Sequence, residues 1–356
     1  MSSIPHRWKR LAKQIKQFGR KLGLQQVGIT DTELTASETH LLQWLKDNRH
    51  GDMDWMARYT DKRTQPDKLV KNTIRIISAR LDYLPADCQD MESILSQQDK
   101  AYISRYALGR DYHKLMRHRL QKLARYVEKQ VGAFGYRVFA DSAPVMEKPL
   151  AEKAGLGWMG KHTNLLNKQA GSWFFLGEIY VDLPLPVDKP SQKHCGSCQI
   201  CMDICPTRAI TAPYQLDPRL CISYLTIEHK GSIPPALRPL IGNRVYGCDD
   251  CQIYCPWNRF ADYTGETSFH PRHRLDDITL LELFAWDEET FLKKTEGSAI
   301  RRIGHERWLR NIAVALGNCQ SNKEEITTIL EAKSQDASEL VKEHINWALA
   351  NIRRLV

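Results

Sequence analysis

The sequence predicts a mixed protein of three parts, α+β or α/β at its N-terminal end, and three observations carry that prediction. Helical and strand-like patterns alternate through residues 1–185, as expected of a sheet packed with helices. Eight of the ten cysteines fall between positions 195 and 255. An apolar helical pattern in the last part returns 33 residues on. A chain of 356 residues is long enough for two or three domains with ample core.

The N-terminal segment IPHRWKRLAKQIKQFGRKLGL places Ile4, Trp8, Leu11, Ile15, Phe18 and Leu22 at helical spacing, with no acidic residue before Asp31. Such a segment can pass for a transit peptide or a membrane-surface helix. It runs without a spacer into the strand-like QQVGIT, so it reads as the first helix of a folded domain. Helical patterns follow at 37–48 and 111–131, and strand-like runs at TIRIISARLDY, YRVFAD and SWFFLGEIYVD. The Pro-rich DLPLPVDKPSQ closes this first domain, residues 1–185. Beyond the cysteines, residues 275–356 are helical. There Ile312, Ala315 and Leu316 of WLRNIAVALGN are echoed by Ile345, Ala348 and Leu349 of EHINWALANIRR. The spacing resembles a short HEAT-type repeat, and with fewer than three units it must dock on the rest of the chain.

Fifty-one Lys and Arg against 42 Asp and Glu give a net charge of +9, a footprint compatible with a polyanionic partner without requiring one. No apolar stretch approaches a membrane span, since Glu178 breaks even WFFLGEIYV. A soluble, cytoplasmic protein with no membrane partner is expected.

Cys195, Cys198, Cys201 and Cys205, followed by Pro206, spell C-x2-C-x2-C-x3-C-P. In bacterial ferredoxins this run gives three thiolates to one [4Fe–4S] cluster and the fourth to another. Cys221, Cys248, Cys251 and Cys255, followed by Pro256, form a looser second set. Val245 stands where a strict copy would place a cysteine, which leaves Cys221 as the nearby thiol to complete it. The expected ligand sets are Cys195, Cys198, Cys201 and Cys255 for one cluster, and Cys205, Cys221, Cys248 and Cys251 for the other. They define a ferredoxin-like domain over 186–265. C-x2-C pairs also suit tetrahedral zinc, and disulfides are a third reading. Zinc does not account for the interleaved third cysteine with C-P at both fourth positions, and no secretion signal accompanies the cysteines. Cys88 and Cys319 stand alone and read as small buried hydrophobes.

Three further motifs carry less. Gly155, Gly157 and Gly160 satisfy G-x-G-x-x-G, but a helical EKPLAEKA precedes them where a dinucleotide site needs a strand. Asp111-Tyr112-His113 begins like the D-x-H-x-x-G loop that ligates a corrinoid cobalt, yet Met116 replaces the glycine. Asp141 ends the strand-like YRVFAD and opens SAP, where it can display its carboxylate over a loop or simply initiate a turn.

Taken together, the strings SRYALGRDYH, DSAP, AEKAGLGWMGKHT, CGSCQICMDICPTRAI, CIS, IGNRVYGCDDCQIYCPWN and RRIGHERWLRNIAVALGN resemble the cobalamin-dependent epoxyqueuosine reductases of queuosine tRNA modification. The resemblance runs the full length of the chain. It implies an oxidoreductase that removes the epoxide oxygen of epoxyqueuosine at the anticodon wobble position, using cobalamin and two [4Fe–4S] clusters. It makes the N-terminal domain the cobalamin-binding one and Asp141 a proton donor whose pKa burial would have to raise. It implies a corrin pocket at Arg63, Ser104, Asp141, Leu165, Leu176 and Ser223. A tRNA-binding surface is expected at Lys230, Arg238, Arg301, Arg302, Arg307 and Arg310, and aromatic walls at Trp158 or Tyr106 for the extruded base. A low-potential electron donor and a monomeric state complete the expectation. The competing readings are a reductive dehalogenase-like corrinoid enzyme and a plain ferredoxin-type electron carrier.

Overall fold

The computed structural model of the protein describes residues 5–354, so Ile4 at the head of the expected first helix lies outside the described residues. Helix α1 (His6–Lys21) buries Trp8, Leu11 and Ile15 on one face, as their spacing predicts. The four strand-like runs become β1 (Gln26–Thr30), β2 (Arg75–Asp82), β3 (Tyr136–Phe139) and β4 (Phe174–Val181). They form one sheet in the order β1-β2-β4-β3, and every pairing is antiparallel. That corrects the α/β alternative: without parallel crossovers the first part is α+β.

The sheet's two faces divide the labour. Ile77, Ala79, Leu81, Ile179 and Val181 pack on α1 and on α2 (Tyr112–Val131) through Leu11, Ile15, Leu120 and Leu123. With a side-chain period of two, the other face receives Ile76 and Tyr180, which meet Leu150 of α3 (Glu147–Lys153). The same face buries Ser78, Arg80 and Glu178, and Ser78 lies directly opposite Glu178 in the register. Polar groups sunk into a sheet are costly, so this face marks the place to look for function.

The glycine triad serves packing. Gly157 adjoins the hairpin pairing of Trp158 with Leu166, and a Cβ there would stand 2.1 Å from the Leu166 carbonyl oxygen. After the cysteine region, α4 (Ile222–Ile227) and a strand at Arg244–Tyr246 lead back to Tyr102–Ile103, with which the strand pairs in parallel. The chain ends in α5 (Gly304–Asn318), α6 (Lys323–Ser334) and α7 (Glu339–Arg354). The two echoed segments fall on α5 and α7, which cross closely at Gly317: a Cβ there would be 2.8 Å from the Ala348 Cα. Their apolar residues share one core with Ala101, Ile103, Leu108, Ile227, Val245 and Tyr246, so the helical end is packed into the rest of the chain. Cys319 is buried in that core, and Cys88 packs against it half-buried. Among the described residues no helix is long and apolar enough to cross a membrane.

Candidate functional site

The eight clustered cysteines line two separate hollows. Cys195, Cys198, Cys201 and Cys255 face a cavity of about 360 Å³ bordered by Lys161, Trp257 and Phe260. Cys205, Cys221, Cys248 and Cys251 face a second of about 320 Å³. The division is the one expected from spacing, with Cys255 crossing to the first run and Cys205 to the second. Each set surrounds a volume, and among the described residues no three His, Cys, Asp or Glu side chains converge on a single ion. Four thiols around an open space fit a cubane, whose irons lie off-centre toward each ligand, better than they fit one zinc ion at ~2.3 Å from every sulfur.

Local contacts fix the two linings. The Lys161 ammonium donates to the carbonyl oxygens of Gly196 at 2.7 Å and Cys198 at 2.9 Å, pinning the first loop. Asp249, between two cysteines of the second set, accepts from Ser104 Oγ at 2.6 Å, Tyr102 Oη at 2.9 Å and the Arg105 backbone N–H at 2.8 Å. Cys198 is exposed, so the first hollow opens toward solvent. The second also carries Ser223, Ser104, Tyr106 and Lys148 on its wall. Lys148 follows Glu147 at the start of α3, and the charge of Asp141 acts on it together with Cys221 and Cys251. The second set is therefore the one beside the polar face of the sheet.

Asp141 lies two residues beyond β3, in the left-handed region at φ 57°, and is half exposed. Its Oδ2 accepts from Tyr112 Oη at 2.9 Å and lies 3.3 Å from His113 Nε2. Asp111 Oδ1 holds the other ring nitrogen, Nδ1, at 2.6 Å, and Tyr112 stacks flat on Phe175 at 3.8 Å. Burial pushes the Asp141 carboxyl up, but the bonds from His113 and Tyr112 and the charges of His113 and Arg302 outweigh it and hold it below the carboxylate range. In this arrangement the carboxyl is lowered rather than raised; the expected rise was to come from burial beneath a corrin. The proton resides on His113, raised to about 9 by its bonds to Asp111 and Asp141.

Beneath this pair, the Asp141 backbone N–H donates to Glu147 Oε1 at 2.6 Å. Burial, with the charge of Asp141, raises Glu147 to about 7, and burial likewise raises Glu178 well above its ordinary value. None of His113, Glu147 and Glu178 was expected to act. For His113 the signal existed in the D-x-H string, set aside for lack of its glycine.

Among the residues expected to form a corrin pocket, Arg63 is buried and lies close enough to Asp141 to feel its charge. Among the described residues its Nε and the nearby Tyr180 hydroxyl have no partner, which fits a site completed by polar groups of a bound molecule. Ser104 and Ser223 meet at the second hollow, though the Ser104 hydroxyl is committed to Asp249. Leu165 and Leu176 sit apart, in a buried cluster with Ala151, Ala154, Leu156 and Phe174.

Residues 63–142 match the family described as "Epoxyqueuosine reductase QueG, DUF1730", and residues 194–258 match the "4Fe-4S double cluster binding domain". An epoxyqueuosine reductase of Pseudomonas aeruginosa is 60% identical over 96% of this chain and 94% of its own length. The chain belongs to the epoxyqueuosine reductase family. The Escherichia coli epoxyqueuosine reductase is 58% identical over 96% of this chain and 89% of its own. An epoxyqueuosine reductase solved with an epoxyqueuosine-modified tRNA-Tyr stem loop superposes with a TM-score of 0.88 at 25% identity, covering 97% of this chain and 91% of its own. The Bacillus subtilis epoxyqueuosine reductase, solved with its catalytic aspartate loop swung out of the active site, gives 0.87 at 25% identity, with coverages of 97% and 91%. Membership in this family removes the dehalogenase-like and plain-carrier readings and places a double [4Fe–4S] domain in the middle of the chain.

In this epoxyqueuosine reductase family member, the six basic residues expected at a tRNA surface separate into two groups. Lys230, Arg301 and Arg302 are exposed, with Arg302 bridging to Glu228 at 2.7 Å. Arg307 is half-buried and donates to the carbonyl oxygens of Ile303 and Ile227. Arg310 and Arg238 are corrections. Arg310 is 0% exposed and spends its guanidinium on the carbonyl oxygens of Leu225, His229 and Gly231 and the side chain of Asn311. Arg238, 2% exposed, bonds the Ile233 carbonyl and pairs with Glu343. Neither guanidinium is left to grip a phosphate. Trp158 is corrected too: it is 1% exposed and meets Trp257 edge-on beside the first hollow. Tyr106 does line the second hollow, its hydroxyl 3.2 Å from that of Tyr246.

Proposed function

We propose that this member of the epoxyqueuosine reductase family reduces epoxyqueuosine to queuosine at the wobble position of tRNA anticodons, with cobalamin and two [4Fe–4S] clusters. The observation that carries the reading is the proximity of the second cysteine-lined hollow, the Arg63 and Tyr180 groups left without a partner among the described residues, and the Asp141–His113 pair just beyond the end of β3. The two carbon–oxygen bonds of the epoxide break, a carbon–carbon double bond forms, and the oxygen leaves as water at the cost of two electrons and two protons. Cobalamin, when bound, supplies a strongly reducing cobalt centre for this step. The two cysteine sets would hold the clusters that relay electrons singly from a low-potential donor, with the solvent-facing first set as the point of entry.

The chain's own residues supply position and protons. His113 Nε2 holds a proton next to Asp141 Oδ2 and is steadied as a cation by Asp111 on Nδ1. As charge develops on the departing oxygen, Asp141 Oδ2 passes this proton on, so the donor is the pair and neither residue alone. Arg63, Ser223 and Ser104, with the apolar floor near Leu165 and Leu176, would contact the corrin. Lys230, Arg301, Arg302 and Arg307 would take phosphates beside it, on a helical end that we read as a HEAT-type pair. The test is anaerobic single-turnover conversion of epoxyqueuosine to queuosine in tRNA by cluster- and cobalamin-loaded protein. Absence of queuosine with both cofactors present and reduced would exclude the assignment.

A further inference from the structure

The extruded base needs an aromatic surface, and the two residues expected to give one are a buried tryptophan and a tyrosine tied to Tyr246. On the segment that follows Met53, Trp55 is 47% exposed and Tyr59 is 63% exposed, so neither ring serves to fill the core. We propose that Trp55 and Tyr59 form a stacking platform for unpaired bases of the tRNA anticodon loop, an inference that rests on the tRNA reading above.

Position is the first ground. The Asp52 backbone N–H donates to Tyr224 Oη at 2.7 Å, and Asp52 Oδ2 lies 2.9 Å from both the Lys230 backbone N–H and His229 Nδ1. Met53 reaches the wall of the second hollow. On the other side, the Trp55 ring faces the Arg63 guanidinium at 5.7 Å, and Arg63 in turn feels the charge of Asp141. The segment thus bridges the catalytic pair and the 227–230 stretch, against which Arg302 and Arg307 also pack. Bases presented to Asp141 from the basic side pass over these rings.

Conformation is the second. Tyr59 is left-handed, at φ 55° and ψ 38°, a region an L side chain enters only under strain. Its ring buries little in return, a pattern found where the backbone is held for function. Charge is the third ground. Lys62 Nζ sits 4.9 Å over the Tyr59 ring, but Asp54 and Asp61 are exposed on the same stretch. With both signs present the segment makes a poor phosphate clamp, and what it offers single-stranded RNA is ring faces.

The measurement is the affinity of the cofactor-loaded enzyme for a fluorescent tRNA anticodon stem-loop as a function of salt. Trp55→Ala and Tyr59→Ala are each expected to weaken binding about tenfold, the scale of one lost base stack. The slope of log affinity against log salt should stay unchanged, because no phosphate contact is removed. Trp55→Phe should recover most of the loss, while Arg302→Ala should flatten the slope. Unchanged affinity in both alanine variants overturns the platform. So does a loss that tracks lowered cobalamin occupancy and disappears when occupancy is restored, since the rings would then belong to the cofactor's site. A failure of the unsubstituted enzyme to bind the stem-loop strikes the tRNA reading itself.

Discussion

His113 lies between Asp111 and Asp141, and its proton governs what Asp141 can do. Its folded-state pKa of about 9 stands above the ordinary 6.5. The stabilising charge pair is therefore complete below pH ~6.5 and is lost as pH rises through about 9. Single-turnover conversion depends on the folded-state proton alone and should fall as pH passes about 9, and His113→Asn should remove that alkaline limb while lowering the rate at neutral pH. Asp141→Asn should bind cobalamin and tRNA but convert epoxyqueuosine roughly a hundredfold more slowly or worse, the scale of a lost general acid. Asparagine is a good turn former, so near-normal conversion would return Asp141 to a turn role. The sequence exposed the cysteines because their chemistry is written in spacing. It did not expose Glu147 and Glu178, whose effect depends on a strand partner and a helix start distant along the chain.

Helix α5 shows how charge in a sequence can mislead. Its WLRNIAVALGN pattern was legible as amphipathic and echoed, and Trp308, Ile312, Ala315 and Leu316 are indeed buried. Arg310 has the composition of a phosphate ligand, but the three carbonyls it binds come from residues 225–231, about eighty positions earlier in the chain, and no local pattern announces them. Arg310→Met should destabilise the loaded protein by about 3 kcal/mol, because buried acceptors lose their donors, read as a lowered urea midpoint. Stem-loop affinity of the folded fraction should not change. Weakened binding without a stability loss would put Arg310 back at the RNA. The strands were legible through their β-branched and aromatic alternation, whereas their antiparallel order was not, since pairing partners lie far apart in sequence.

For the whole molecule, two [4Fe–4S] sites imply about eight irons per chain after anaerobic reconstitution. Cys221→Ala should leave about half of that iron in a still-folded protein, with the remainder in the solvent-facing hollow. A full complement in this variant would mean that the second set is closed by another ligand. The crossing of the two sets has a temporal side as well. Cys255 lines the hollow begun at Cys195, and Cys205 lines the one finished by Cys248 and Cys251. A ribosome delivering the chain from its N-terminus hands over six of the eight clustered thiols before either hollow is complete, because the second closes at residue 251 and the first only at 255. Metal loading of the two sites is then bound to a single late moment of synthesis, and a nascent chain halted anywhere before Cys251 can hold neither cluster in its full ligand set.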